Sequence, residues 1–177
     1  MPSDDEPTYD EPKYTAPGLS LAQGGEAASV LQERLTALVD LALTLKHIHW
    51  NVVGPRFIAV HEMLDPQVAS AHRMADKVAE RIATLGAVPH GTPGSVVRRR
   101  PWADYPLGRS TVIEHLQALD TVYDGVASSH RAAARRLEGL DDVSRSVMIR
   151  QLRRIELYQW FVRAHLEDPD GALRDAR

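Results

Sequence analysis

Between about Ala27 and Trp50 the apolar residues Leu31, Leu35, Leu38, Ala42 and Leu45 recur at three- and four-residue intervals, the spacing of a helix with one buried face. An Asn51-Val52-Val53-Gly54-Pro55 break follows, and a second helix is predicted from Phe57 to Leu85, with Gly86 as its C-terminal cap. Pro66 falls inside this second pattern. It either kinks the helix or marks a first helical turn with Asp65 as N-cap. From Ala87 to Gly108 the residues Pro89, Gly91, Pro93, Gly94, Pro101, Pro106 and Gly108 exclude a long helix, so this stretch is a long connection. A third helix is predicted from Ser110 or Thr111, with Glu114 completing a capping box, to about Leu137. After a turn at Gly139 to Asp142 a fourth runs to about Leu166, where Asp168-Pro169-Asp170-Gly171 stops it.

Long helices joined by short, long and short connections describe an all-α four-helix bundle with one crossover, between the second and third helices. A crossover of roughly 20 residues reaches up to about 70 Å when extended, more than the roughly 45 Å length of a 30-residue helix. The predicted organisation is a flexible acidic N-terminal tail over 1–25, the bundle over 26–167 and a short C-terminal tail over 168–177.

Composition narrows the setting. With 177 residues and 44% hydrophobic content the chain can bury a full core as one domain. It has no cysteine, which excludes disulfides and thiolate metal sites and fits a reducing compartment. No apolar run has the roughly 20 residues of a membrane span, and Asp4, Asp5, Glu6, Asp10 and Glu11 are the reverse of a signal peptide. The expectation is a cytoplasmic protein that does not associate with membranes.

Candidate chemistry lies on the second helix. At about 100° per residue, His61, Asp65, Asp76 and Glu80 fall at roughly 0°, 40°, 60° and 100°, one polar stripe. Along the axis, however, the His61/Asp65 pair sits roughly 16 Å from the Asp76/Glu80 pair, too far to share an ion. One chain therefore holds two half-sites. A two-fold axis near Ser70 would set His61 and Asp65 of one copy against Asp76 and Glu80 of another, twice per dimer, with the small residues Ala69, Ser70 and Ala71 permitting close approach. With His49 from the first helix, the set is two imidazoles and three carboxylates. Calcium prefers oxygen alone and structural zinc prefers cysteine and histidine, so the set suits redox iron, Fe(II) and Fe(III). The Glu-x-x-His pairs of an intrasubunit di-iron bundle are absent from the sequence.

The runs Leu45-Lys46-His47-Ile48-His49-Trp50-Asn51-Val52-Val53-Gly54-Pro55, Phe57 to Asp65 and Asp76-Lys77-Val78-Ala79-Glu80-Arg81, with Gln159-Trp160-Phe161, closely resemble the Dps family, the mini-ferritins or DNA-binding proteins from starved cells, in their actinobacterial form. The resemblance covers about residues 27 to 167 and implies the ferritin-like fold. It further implies a homo-oligomer, a dodecamer built from dimers, that oxidises Fe(II), preferably with hydrogen peroxide, at inter-subunit ferroxidase sites of two irons each. Stored ferric mineral and protection of DNA from oxidative damage are the expected outcomes. His49, His61, Asp65, Asp76 and Glu80 stand at the five family ligand positions, and Trp50 matches the family tryptophan that supplies an electron or intercepts a radical. Asp141 and Asp142 fall near the acidic three-fold pores through which iron enters related cages, although acids there also complement a helix dipole.

Plainer readings compete at several positions. Asp65 as an N-cap would need no metal, and Asp76 and Glu80 could pair with Lys77 and Arg81 at the surface. His47, about 200° around the first helix from His49, is structural or a surface residue, as are His72, His90, His115, His130 and His165. Trp160 and Phe161 read as core. In the family, DNA binding often rides on basic tails, yet both tails here are net acidic. Basic density lies in Arg98-Arg99-Arg100 and at Arg131, Arg135, Arg136, Arg145, Arg150, Arg153 and Arg154, expected in ion pairs or on solvated faces. Direct DNA binding is therefore expected to be weak and salt-sensitive or absent. The alternative function is a nucleoid-binding structural protein whose iron site is secondary, and a third reading is a metal-free bundle used for assembly.

Overall fold

The computed structural model describes residues 12–168 and 172–173. Its elements are α1 (Leu21–Asn51), β1 (Val52–Val53), α2 (Phe57–Thr84), α3 (Pro93–Arg99), β2 (Ser110–Thr111), α4 (Val112–Arg136) and α5 (Asp142–Leu166). Helices α1 and α2 pack as one hairpin and α4 and α5 as a second, and the connection carrying α3 joins them, which is the ferritin-like bundle with its long crossover.

The first helix begins earlier than its apolar periodicity suggests. Ser20 caps it: its hydroxyl accepts from the Gln23 N–H (3.2 Å) while the Gln23 side chain accepts from the Ser20 N–H (2.9 Å). Two orphan donors are satisfied this way, so the helix starts at Leu21 and the expected boundary at residue 25 moves to residue 20. Residues before the cap fold back onto the hairpin. A Cβ on Gly24 would lie 2.1 Å from the Thr15 hydroxyl, and one on Gly86 would lie 2.0 Å from the Tyr14 carbonyl oxygen, so both positions need glycine for close approach. Gly86 has φ +84°, as its place after the end of α2 requires. The acids Asp4, Asp5, Glu6, Asp10 and Glu11 lie outside the described residues.

Leu31, Leu38, Leu45 and Ile48 of α1, Leu64, Val78 and Ile82 of α2, Leu116, Leu119 and Tyr123 of α4, and Met148, Ile155 and Val162 of α5 are buried in a single cluster. Each supplies roughly 1.5–3 kcal/mol of burial, so the bundle rather than any one helix carries stability. Pro66 lies inside α2, which runs unbroken through it; Arg56, with φ +66°, precedes the helix instead, so Asp65 is an interior helical residue and its N-cap reading fails. Trp160 is not core. It is 58% exposed, because α5 buries Ile155, Tyr158, Gln159 and Val162 on its other side, while Phe161 packs partly against the cluster.

Two features of the crossover hold the site end of the bundle. The segments Val52–Val53 and Ser110–Thr111 pair in parallel, with Val52 opposite Ser110, tying the exit of α1 to the entry of α4. Thr111 then caps α4 in a reciprocal box with Glu114. Arg100 binds Asp40 (3.1 Å) and also Asp104, and Trp102 donates to Asp40 (2.7 Å), so the strap lies against α1.

Candidate metal centre

The turn between α1 and α2 uses two left-handed residues, Gly54 (φ +96°) and Arg56 (φ +66°), to reverse the chain within a few residues. That reversal sets the last turn of α1 against the start of α2. His49 and His61 meet there with ring centroids 3.6 Å apart and planes inclined by 23°. Their hydrogen bonds are reciprocal: His49 Nδ1 donates to the His61 carbonyl and His61 Nδ1 donates to the His49 carbonyl, both at 2.9 Å. A carbonyl only accepts, so each Nδ1 carries a proton, and in the neutral ring the lone pair is on Nε2. Neither Nε2 has a hydrogen-bond partner among the described residues. Two nitrogens of a type that can ligate a metal are thus presented side by side, their Nδ1 protons set by main chain.

Asp65 stands one turn along α2 from His61. Its Oδ1 lies 2.8 Å from Lys46 Nζ and 3.3 Å from His49 Nδ1, so the carboxylate touches the protonated side of that ring and leaves Nε2 uncommitted. The Lys46 hydrogen bond, with the His49 and His61 rings adding to it, holds the exposed Asp65 carboxyl below its ordinary range. Farther along the helix, Lys77 binds Glu80 (2.6 Å) and lies 3.7 Å from Asp76. His49, His61 and Asp65 therefore come together within one chain, and Asp76 and Glu80 form a separate exposed group. Among the described residues, no three His, Asp or Glu side chains are arranged to hold an ion within a single chain.

The surface around these groups is apolar where a lone chain would not favour it. Trp50 (70% exposed), Phe57 and Ile58 lie on α1 and α2 within four residues of His49 or His61 in sequence, and Phe57 meets the His61 ring edge-on. Of the three small residues expected at a helix contact, Ser70 and Ala71 are buried in the chain's own core, and only Ala69 faces outward.

A ferritin-like domain model matches residues 28–171. The DNA protection during starvation protein of Mycolicibacterium smegmatis is 53% identical over 160 residues, covering 90% of this chain and 87% of that one. This chain belongs to the Dps family. Its backbone superposes on Mycobacterium smegmatis Dps with a TM-score of 0.89, at 53% identity and covering 90% of this chain and 97% of that one. For DpsA14 from Streptomyces coelicolor the TM-score is 0.91, at 56% identity and with 93% and 98% covered. A Haemophilus ducreyi protein named fine tangled pili major subunit is 48% identical over 89% of this chain and 84% of its own.

Asp141 has a role that the Dps resemblance alone does not reveal. It is the N-cap of α5, its side chain accepts from the Val143 N–H (3.2 Å) and from Ser144, and it forms a buried ion pair with Arg81 at 2.8 Å. Burial pushes its carboxyl up, but Ser144 and Arg81 outweigh that and hold it below the usual carboxylate range. Asp142, its neighbour, is exposed. Three other histidines have local partners of their own: His47 Nε2 donates to the Leu107 carbonyl (2.7 Å), His115 meets Tyr105 (3.0 Å), and buried His130 lies between the Val126 carbonyl and Gln151. Several basic residues are spent on intrachain pairs, Arg131 with Glu156, Arg136 with Glu33 and Arg145 with Glu138. No helix among the described residues is long and apolar enough to cross a membrane.

Proposed function

We propose that the protein is a ferroxidase and iron store whose sites form between two copies of the chain. His49, His61 and Asp65 come from one copy, and Asp76 and Glu80 from the other. The observation that carries this is the reciprocal hydrogen bonding of His49 and His61, which leaves both Nε2 atoms as unoccupied donors on a surface fringed by exposed Trp50, Phe57 and Ile58. The main chain orders the Nδ1 sides of the pair and leaves the Nε2 sides for an ion, the arrangement typical of metal-ligating histidines. Burying the apolar fringe against a second copy brings the opposing carboxylates in, and a two-fold interface does so twice.

Iron is the substrate. Two Fe(II) per site each give one electron to peroxide, 2 Fe²⁺ + H₂O₂ + 2 H⁺ → 2 Fe³⁺ + 2 H₂O, so no single-electron step releases hydroxyl radical. Asp65 is held by Lys46 and Glu80 by Lys77 in the metal-free chain, and iron displaces both ammonium groups. Trp50, exposed and next to His49 in the chain, would supply the second electron to peroxide where only one Fe(II) is bound, or intercept a radical. Membership of the Dps family supports a dodecamer built from these dimers. Iron entry at a pore falls to Asp142, since the Asp141 carboxylate is committed to Arg81 and to the start of α5. Protection of DNA is then chemical, by removal of Fe(II) and peroxide, with direct DNA binding weak or absent. The test is anaerobic Fe(II) titration combined with solution mass: about two Fe(II) per site on a dodecamer is expected, and a His49→Ala chain that oxidises iron at the wild-type rate would disprove the reading.

A further inference from the structure

A groove of about 490 Å³ runs between α2 and α5, and its walls are cationic. Arg73, Lys77 and Arg81 follow one another at four-residue spacing on α2, and Arg150 and Arg154 do the same on α5. Four-residue spacing keeps each row on one face of its helix, so the two rows flank the same slot. Glu80 is the one carboxylate in the lining.

Two of the cations are answered within the chain, Lys77 by Glu80 and Arg81 by Asp141. The others are not. Among the described residues Arg73 and Arg150 pair with no carboxylate, and Arg154 meets only the ring of Tyr158, 5.7 Å from its centroid. The floor offers no competing charge either: Met74 is apolar, and the Gln151 amide is used by the Met74 carbonyl (3.0 Å) and His130 (3.3 Å).

We propose that this groove binds inorganic phosphate, with Arg73, Arg150 and Arg154 as its anchors. Guanidinium forks match the geometry of an oxyanion, and a dianion relieves the mutual repulsion of three like charges over a neutral floor. A duplex is a convex rod whose phosphates need a broad basic face, whereas a slot between two helices admits a small oxyanion. Its location gives the ion a use. Glu80, an iron ligand in the proposed function, lines the same slot, so ferric ion leaving that residue meets phosphate there and deposits with it. That last step rests on the ferroxidase reading, and phosphate binding itself does not.

The experiment uses the assembled, iron-free, full-length protein in equilibrium dialysis against radiolabelled inorganic phosphate at neutral pH and low salt. Saturable binding is expected, weakened at least about tenfold in the Arg73→Gln/Arg150→Gln/Arg154→Gln variant. Because Arg73 shares α2 with the proposed iron ligands, the α5-only variant Arg150→Gln/Arg154→Gln serves as a second test, expected to lose affinity at unchanged assembled mass. Absence of saturable binding to the wild type, or variants that bind as it does, overturns the proposal. So does random-sequence duplex DNA that displaces the phosphate at equal phosphate concentration, which would make the groove a nucleic-acid surface. When iron is loaded with phosphate present, less phosphorus per iron is expected in the triple variant, and an equal ratio overturns the deposition step. Wild-type iron oxidation in His49→Ala would remove the ferroxidase reading and leave the phosphate titration standing.

Discussion

Two inactive variants of this chain, mixed, are expected to regain activity, because neither half-site is complete in one copy. His49→Ala/His61→Ala removes the imidazoles and keeps the acids, while Asp76→Ala/Glu80→Ala does the reverse. From Asp65 to Asp76 the α2 axis advances about 16 Å, whereas ligands of one ion lie within about 4 Å of each other, so the two groups on one helix cannot serve the same site. Random re-pairing of equal amounts makes about half of all dimers mixed, by the statistics of a two-fold interface. In each mixed dimer one site takes histidines from the acid-less copy and acids from the histidine-less copy and is whole, and the other site lacks both. About a quarter of wild-type sites are therefore restored, against almost none in either parent. The assay is the initial rate of ferric absorbance after peroxide is added to Fe(II)-loaded protein, on samples co-refolded from denaturant at equal ratio. A mixture no faster than its parents would refute inter-subunit sharing, and a parent that keeps wild-type activity would refute the ligand assignment.

Lys46→Gln frees the Asp65 carboxylate from its ammonium partner and is expected to tighten anaerobic Fe(II) binding by about two- to fivefold, the scale of an exposed ion pair; weaker binding would contradict this. Arg81→Met leaves the buried Asp141 carboxylate without its cation and should cost about 3 kcal/mol in chemical denaturation, with a loss under about 1 kcal/mol counting against the buried-pair argument. Burial, reinforced by the nearby charge of Arg34, lowers His130 from 6.5 to about 4. The unfolded chain thus takes up this proton first as pH falls: the contribution is full above pH 6.5 and is lost towards pH 4, at about 1.4 kcal/mol per unit and roughly 3 kcal/mol in all. His130→Asn should flatten that part of the stability–pH curve, and an unchanged slope would exclude His130 as its source. A gel shift at physiological salt should show no compaction of duplex DNA, and a compacted complex would favour the nucleoid-binding alternative.

How much of this was legible in the sequence depended on what each feature answers to. The four long helices were readable because burial imposes a 3.6-residue period, and Thr111, Glu114 and Gly86 stand where caps require them. The start of α1 leaves no apolar trace, because Ser20 and Gln23 carry its signal in hydrogen bonds ahead of the first apolar repeat. The Val52–Val53 and Ser110–Thr111 pairing joins segments far apart in sequence, and α3 lies among prolines and glycines that argue against helix, so neither left a periodic trace. Aromatic character alone suggests core for Trp160, but phase decides: Ile155, Tyr158 and Val162 fix the buried side of α5, and Trp160 falls off it. Phase also decides Ser70 and Ala71: small size suits a helix contact, and in the single chain both are buried.

The site itself was half legible, and the division is physical. Spacing on one helix is a one-dimensional property, so the stripe of His61, Asp65, Asp76 and Glu80 could be read directly. The tautomers of His49 and His61 depend on a turn that brings two carbonyls to two rings, which no spacing encodes. Most informative is what the two kinds of observation share. The unoccupied Nε2 atoms and the exposed side chains of Trp50, Phe57 and Ile58 lie around the same α1–α2 corner. In the proposed function this couples assembly to chemistry: the contact that would bury the apolar fringe is the one that would bring in the opposing carboxylates. On this logic a lone chain is spared reactive iron because its two half-sites lie about 16 Å apart along one stripe of α2, each carboxylate group neutralised by a lysine until a partner arrives.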